Sequence, residues 1–152
     1  SLAKRIAYSK VYDDDHDVFV IWRNIQLTEE YGGTPETYIV VGYKDQIVFD
    51  KTDVDFKHGD IEPDAKTGYP LPYSIQLDAS QGDDAIKLVM RGESVKRKDL
   101  LKSVGRFVRV LASSVTKPYH FAFDGTYALQ MNIGGAEATV RGDARYVFDH
   151  LN

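Results

Sequence analysis

The 152-residue chain contains no cysteine. That absence excludes disulfide frameworks, thiolate nucleophiles, thioether-linked haem and cysteine-based zinc or iron–sulfur sites. It does not settle the compartment, because a β-domain of this length needs no covalent staple. No stretch reaches the roughly 18 apolar residues of a membrane-spanning helix. The first ten residues, SLAKRIAYSK, lack the apolar centre of a signal peptide. The chain starts without methionine, as expected of a processed form or of part of a longer protein; cytoplasmic and processed secreted forms both fit. Positive charge is not in excess either. The formal net charge is −4, which predicts no general attraction to nucleic acid phosphates. The most basic stretch, Arg91 to Arg109, interleaves Lys96, Arg97, Lys98, Lys102 and Arg106 with Glu93 and Asp99. It reads as a solvated face, with a local anion-binding surface as the alternative.

Recognisable reaction motifs are also missing. No Gly-rich strand-to-helix phosphate loop and no regular βα alternation is present, which argues against a dinucleotide-binding domain. No serine lies in GxSxG. The four histidines, His16, His58, His120 and His150, show no metal-ligand spacing, although distant ones can still converge in a fold. Asp13, Asp14, Asp15, His16 and Asp17 form the densest charge run. It lacks the alternation and closing glutamate of a calcium loop and reads as a solvated turn. The expectation is no metal and no cofactor. Carboxylate pairs such as Glu62 with Asp64, or Glu93 with Asp99, are unspecific.

What the chain does have is aromatic and alternating sequence. Hydrophobic residues make up 43%, with ten tyrosines and seven phenylalanines, types that favour pleated, half-buried positions. From Ala136 to Phe148, one parity carries Ala138, Val140, Gly142, Ala144 and Tyr146. The other carries Glu137, Thr139, Arg141, Asp143 and Arg145. Period two over this length predicts a long half-buried strand. Tyr127, Leu129, Met131 and Ile133 alternate likewise, and Gly134-Gly135 between the two runs predicts a hairpin.

Further strands are expected at Val18 to Leu27, Tyr38 to Tyr43, Gln46 to Phe49, Val54 to Phe56, Tyr73 to Leu77, Ala85 to Arg91 and Arg106 to Leu111. Asp124-Gly125 reads as a turn. His58 to Pro72, with two glycines and three prolines, reads as the longest irregular connection. Ser94 to Val104 fits either a short helix or a strand extension. The sum is about nine strands, at most one or two short helices, and no internal boundary. A long antiparallel sheet with one apolar face must close on itself or pack on a second sheet. Closure also removes exposed edges, so an all-β antiparallel barrel, closed or nearly closed, is expected.

Three segments carry a resemblance: GYPLPYSIQL (68–77), KPYHFAFDGTYALQM (117–131) and GGAEATVRGDARYVF (134–148). Their order is similar to that in the lipocalin-like domains of the AttH and hydroxyneurosporene synthase (carotenoid 1,2-hydratase) group. The resemblance implies a lipocalin-like, calycin-type barrel over residues 3–150, one domain, the C-terminal one, of a longer two-domain protein. It also implies apolar, isoprenoid-like substrates, with hydration, cyclisation or isomerisation as the reactions. No catalytic residue of that group maps onto this sequence.

Three functions remain open. The first is binding of a small hydrophobic molecule, with Trp22, Tyr73, Tyr127, Met131 and Tyr146 as apolar walls. The second is an enzyme acting on an apolar substrate through acid catalysis, with Asp124, His120 and Glu137 as the first groups to test. The third is a structural or interaction domain whose core is filled. The oligomeric state is not legible.

Overall fold

The computed structural model describes residues 3–113 and 117–151. Nine strands follow one another along the chain: β1 (Ala3–Asp13), β2 (Val18–Leu27), β3 (Pro35–Tyr43), β4 (Gln46–Lys51), β5 (Asp55–Pro63), β6 (Pro70–Gln81), β7 (Asp84–Asp99), β8 (Tyr119–Ile133) and β9 (Ala136–His150). A 3-10 turn (Glu29–Tyr31) precedes β3, and one short helix, α1 (Arg106–Ser113), lies between β7 and β8.

All nine strands belong to one antiparallel sheet in the order β4-β3-β2-β1-β9-β8-β7-β6-β5. The chain thus lays down two meanders, β1 to β4 and β5 to β9, and joins them where β1 pairs with β9 through Arg5↔His150 and Ala7↔Phe148. The final hairpin is regular from Tyr119↔His150 to Ile133↔Ala136. Gly134 and Gly135 hold φ of 61° and 79°, the positive values that a two-residue turn matching strand twist requires.

The expected closure does not occur. Strands β4 and β5 end the order, and no ladder joins them among the described residues. Only an isolated parallel bridge, Thr37↔Asp53, touches the three-residue link between them. Both are protected as edges in other ways. β4 is six residues long and ends in Asp50-Lys51. β5 carries Asp55, Lys57, Asp60 and Pro63 and is mostly exposed, with Asp60 at φ 48° interrupting its pairing with β6. The fold is therefore a lipocalin-like antiparallel sheet with one short helix, but an open one.

Its apolar face is nonetheless covered by itself. Trp22 on β2 donates its indole N–H to Met90 Sδ on β7 at 3.2 Å and packs on Phe56 of β5 at 5.7 Å between ring centroids. The two meanders therefore share one core. It contains Val20, Trp22, Ile39, Leu77, Leu88, Phe121, Phe123, Leu129 and Phe148, all 0–1% exposed.

Three local expectations fail, and one strand is missed, for physical reasons. Residues 106–113 form a helix, not a strand; so short an apolar run has no period that separates the two. Asp124-Gly125 lies inside β8, where Gly125 faces a bulge between Gly92 and Ser94. A Cβ on Gly125 would strike the Arg91 carbonyl, so this glycine serves close backbone approach and makes no turn. Most of 58–72 is strand, leaving only 64–69 as a connection. Finally, β1 is a full strand that the sequence reading does not assign. Its inner parity mixes Arg5, Ala7, Ser9 and Val11, while Ile6, Tyr8 and Tyr12 face outward beside Lys4 and Lys10, so hydropathy does not alternate.

Candidate functional site

The sites inferred from sequence divide between the two faces of the sheet. Trp22, Tyr127, Met131 and Tyr146 are buried on the inner face, and Tyr73 is half-buried. The polar tips of Trp22, Tyr127 and Tyr146 are satisfied within the protein. The Tyr146 hydroxyl donates to the Pro72 carbonyl at 2.7 Å, and its ring stacks on Phe123 at 4.7 Å. The Tyr127 hydroxyl donates to Asp13 Oδ2; burial, then this carboxylate, push its pKa far up. Tyr73 packs edge-on against Phe123 at 5.2 Å.

Asp124, His120 and Glu137 occupy the opposite parity and are not brought together. Asp124 is paired with Arg145 at 2.7 Å, which holds its carboxyl below the usual range. It borders an open cleft of about 540 Å³ with Glu93 and Asp143. Four residues along β8, His120 Nδ1 meets Asp149 Oδ1 at 2.6 Å. Burial raises the pKa of Asp149, partly countered by His120. Glu137 lines another open, polar cleft of about 780 Å³ that also borders Met131, Lys87 and Asp55. Among these three, only His120 is an imidazole oriented by a carboxylate.

A different group converges where β1, β2 and β9 meet on the inner face. Arg5 pairs with His150 on one side and Gln26 on the other. Its guanidinium lies over the Phe148 ring at 4.9 Å, and its Nε is buried without a hydrogen-bond partner. Asn24, 1% exposed, donates from Nδ2 to Thr37 Oγ1 at 2.7 Å, while its Oδ1 has no partner. His150 is 8% exposed and stacks on Tyr69 with centroids 4.6 Å apart and planes 8° apart. Its Nε2 is likewise unpartnered.

Burial first, then the charges of Arg5 and Lys4, push the His150 pKa down to about 4, with a backbone contact to Pro70 opposing them. Pro70 offers only a carbonyl as its backbone partner, and Nε2 has none; this pattern fits the tautomer with the proton on Nδ1 and a free lone pair on Nε2. His58 on β5 reaches the same corner, 6.4 Å from the Phe148 ring. Burial and then Arg5 also depress its pKa. No spacing signal marks this group, because its members are drawn from four strands. A half-buried arginine and two imidazoles whose pKa values are pushed down become visible as a group only when β1 is placed against β9.

A latch frames this corner. Asp64, whose side chain is 4% exposed, accepts from Thr67 N at 2.9 Å, Thr67 Oγ1 at 2.7 Å and Arg97 Nε at 2.8 Å, and from Arg97 Nη2. Its backbone N–H bonds to the Tyr69 carbonyl at 2.8 Å, and the Tyr69 hydroxyl donates to the Lys117 carbonyl at 2.6 Å. The 64–69 turn therefore holds Tyr69 against His150. Among the described residues no cluster of three or more His, Asp or Glu forms a metal site, and no helix is long and apolar enough to cross a membrane.

An open lipocalin-like sheet with a polar corner inside its apolar face defines the class of protein. The chain belongs to the Svf1 family, whose sequence pattern matches residues 19–145. No curated protein sequence matches it. In three dimensions it is similar to CghA in complex with Sch210972, with a TM-score of 0.62 at 10% identity, covering 99% of this chain and 41% of that one. A second CghA structure gives 0.64 at 12% identity, with the same coverage. Kievitone hydratase from Nectria haematococca gives 0.54 at 12% identity, covering 97% of this chain and 40% of that protein. At such identity the likeness establishes the fold. The chain spans about two-fifths of the length of these structures.

Proposed function

We propose that this chain is one lipocalin-like domain of a larger protein that acts on a small apolar molecule by proton transfer. The observation that carries this reading is the His150 imidazole, kept neutral in apolar surroundings with its Nε2 lone pair unpartnered. Its lone pair accepts a proton without first losing a hydrogen bond; the depressed pKa makes it a weaker base than a free imidazole, so the transfer depends on negative charge developing on the substrate to favour the imidazolium. Arg5 beside it stabilises negative charge developing on the substrate, and more strongly than in water because the local dielectric is low. The fold shared with kievitone hydratase, and the sequence resemblance to the carotenoid hydratase group, favour reaction over carriage alone. His120 with Asp149 on the outer face is the second acid–base pair to test.

Incubation of the protein in D2O with a panel of isoprenoid and polyketide-like olefins and enones tests this. Mass spectrometry is expected to show deuterium gained at carbon, lost in His150→Asn and retained in His120→Asn. Absence of exchange across the panel, or exchange unaffected by His150→Asn, removes the reading. The alternative of a domain with a filled core rests on the close packing of Trp22, Phe121, Phe123, Tyr146 and Phe148, and absence of exchange would favour it.

A further inference from the structure

We infer that the corner formed by Arg5, Asn24 and His150 receives the polar end of an amphiphilic molecule, one that carries an oxyanion with a hydroxyl group beside it on an apolar chain. The inference deepens the proposed function by naming the substrate class, and rests on that reading only for the chemistry that follows binding. It is carried by a match of donors and acceptors. Buried polar atoms in native proteins are paired almost without exception, and each orphan is unfavourable. Here three orphans, Arg5 Nε, Asn24 Oδ1 and His150 Nε2, lie at adjacent positions of one sheet face. Arg5 is the direct ladder partner of His150. Asn24 sits opposite Ala7, two residues along β1 from Arg5, a diagonal spacing of about 7–8 Å.

The three differ in what they ask for. Arg5 Nε offers a charged N–H and is in none of the ion pairs among the described residues. The titratable groups that its charge shifts are His58 and His150, which bring no negative charge. A partly buried guanidinium without a counter-ion calls for an anionic oxygen. Asn24 Oδ1 and the His150 Nε2 lone pair are acceptors, and they call for a hydroxyl hydrogen. One hydroxy-carboxylate end supplies both. Nearby on the inner face the rings run from Phe148 through His58 and Phe56 to Trp22, each within 6.4 Å of the next; Phe148 and Trp22 are fully buried, and the half-buried Phe56 and His58 are the apolar surface that a chain would cover.

Trp22 is the only tryptophan in the chain and reports on this region directly. Its emission is followed while the intact protein is titrated with 3-hydroxydodecanoate, dodecanoate and 1-dodecanol. The expected order is hydroxy acid tightest, acid next, alcohol weakest, with about tenfold between acid and alcohol for a charge-assisted contact. Arg5→Met should erase the acid-over-alcohol preference and Arg5→Lys should keep most of it, with circular dichroism verifying that each variant folds. Equal affinity of the wild-type protein for all three probes overturns the inference, as does binding by none. Either result leaves the deuterium-exchange test of the preceding reading standing on its own outcome.

Discussion

Asp64 supports both the fold and the candidate site, and Asp64→Asn separates those contributions. The carboxylate accepts four hydrogen bonds, two from Thr67 and two from Arg97. The asparagine keeps the shape and one acceptor oxygen but loses the charge, leaving the Arg97 guanidinium without its partner. Breaking a fully buried pair costs about 3–5 kcal/mol. Arg97 is 29% exposed, so water recovers part of this and about 2 kcal/mol is expected. Urea unfolding followed by Trp22 emission measures it, with the midpoint lowered and the slope unchanged.

The pH dependence gives an independent reading. The Arg97 and Thr67 contacts hold the Asp64 pKa far below the usual carboxylate range. Its stabilisation is therefore full above the unfolded value of about 3.9 and fades as pH falls below it. Asp64→Asn should flatten that part of the acid limb. The variant should also loosen Tyr69 from His150, so that the imidazole, seen by NMR, titrates above its native value of about 4. An unchanged midpoint at neutral pH together with an unchanged His150 titration would refute the latch.

Two further outcomes follow from the same geometry. His150 binds its proton less readily folded, at about 4, than unfolded, at about 6.5. As pH falls from about 6.5 to 4 the unfolded state gains a proton that the folded state refuses, so stability should fall by up to about 3 kcal/mol. His150→Phe should remove that slope in a pH series of thermal melts, and a slope unaltered by the change would show the imidazole to be solvated. Gly142→Ala puts a methyl 2.9 Å from Asp13 Oδ2 and 3.1 Å from Tyr127 Cε1. It should destabilise by about 1–3 kcal/mol as an overpacking change, and a neutral or stabilising result in urea unfolding would show that the Tyr127–Asp13 contact yields easily.

The parts of the fold legible in the sequence are those where hydropathy alternates without interruption. The hairpin of β8 and β9 is read correctly because Leu129, Met131, Val140 and Tyr146 face inward while Gln130, Thr139, Arg141 and Arg145 face out, and because a glycine pair marks the turn. β1 escapes notice because its inner side mixes Arg5 and Ser9 with Ala7 and Val11, while its outer side carries Ile6, Tyr8 and Tyr12. Its inner residues must be small where they lie against Phe148 and Trp22, the partners of Ala7 and Ser9 in the ladders. The barrel expectation fails at a point where pattern carries little information. Whether two terminal strands meet depends on edge chemistry such as Asp50-Lys51 and the left-handed Asp60, not on which residues face inward.

The candidate site is illegible for a related reason. Sequence reasoning looks for polar residues in loops or at motif spacing, and so it favours His120, Asp124 and Glu137, which stand on the solvent parity of β8 and β9. Arg5, Asn24 and His150 are polar residues at core parity, where burying them costs free energy unless something compensates. In a chain whose other inner positions are almost all apolar, that departure from the alternating pattern is itself the signal. It is readable only once the register of β1 against β9 is known, because that register makes three isolated exceptions one neighbourhood.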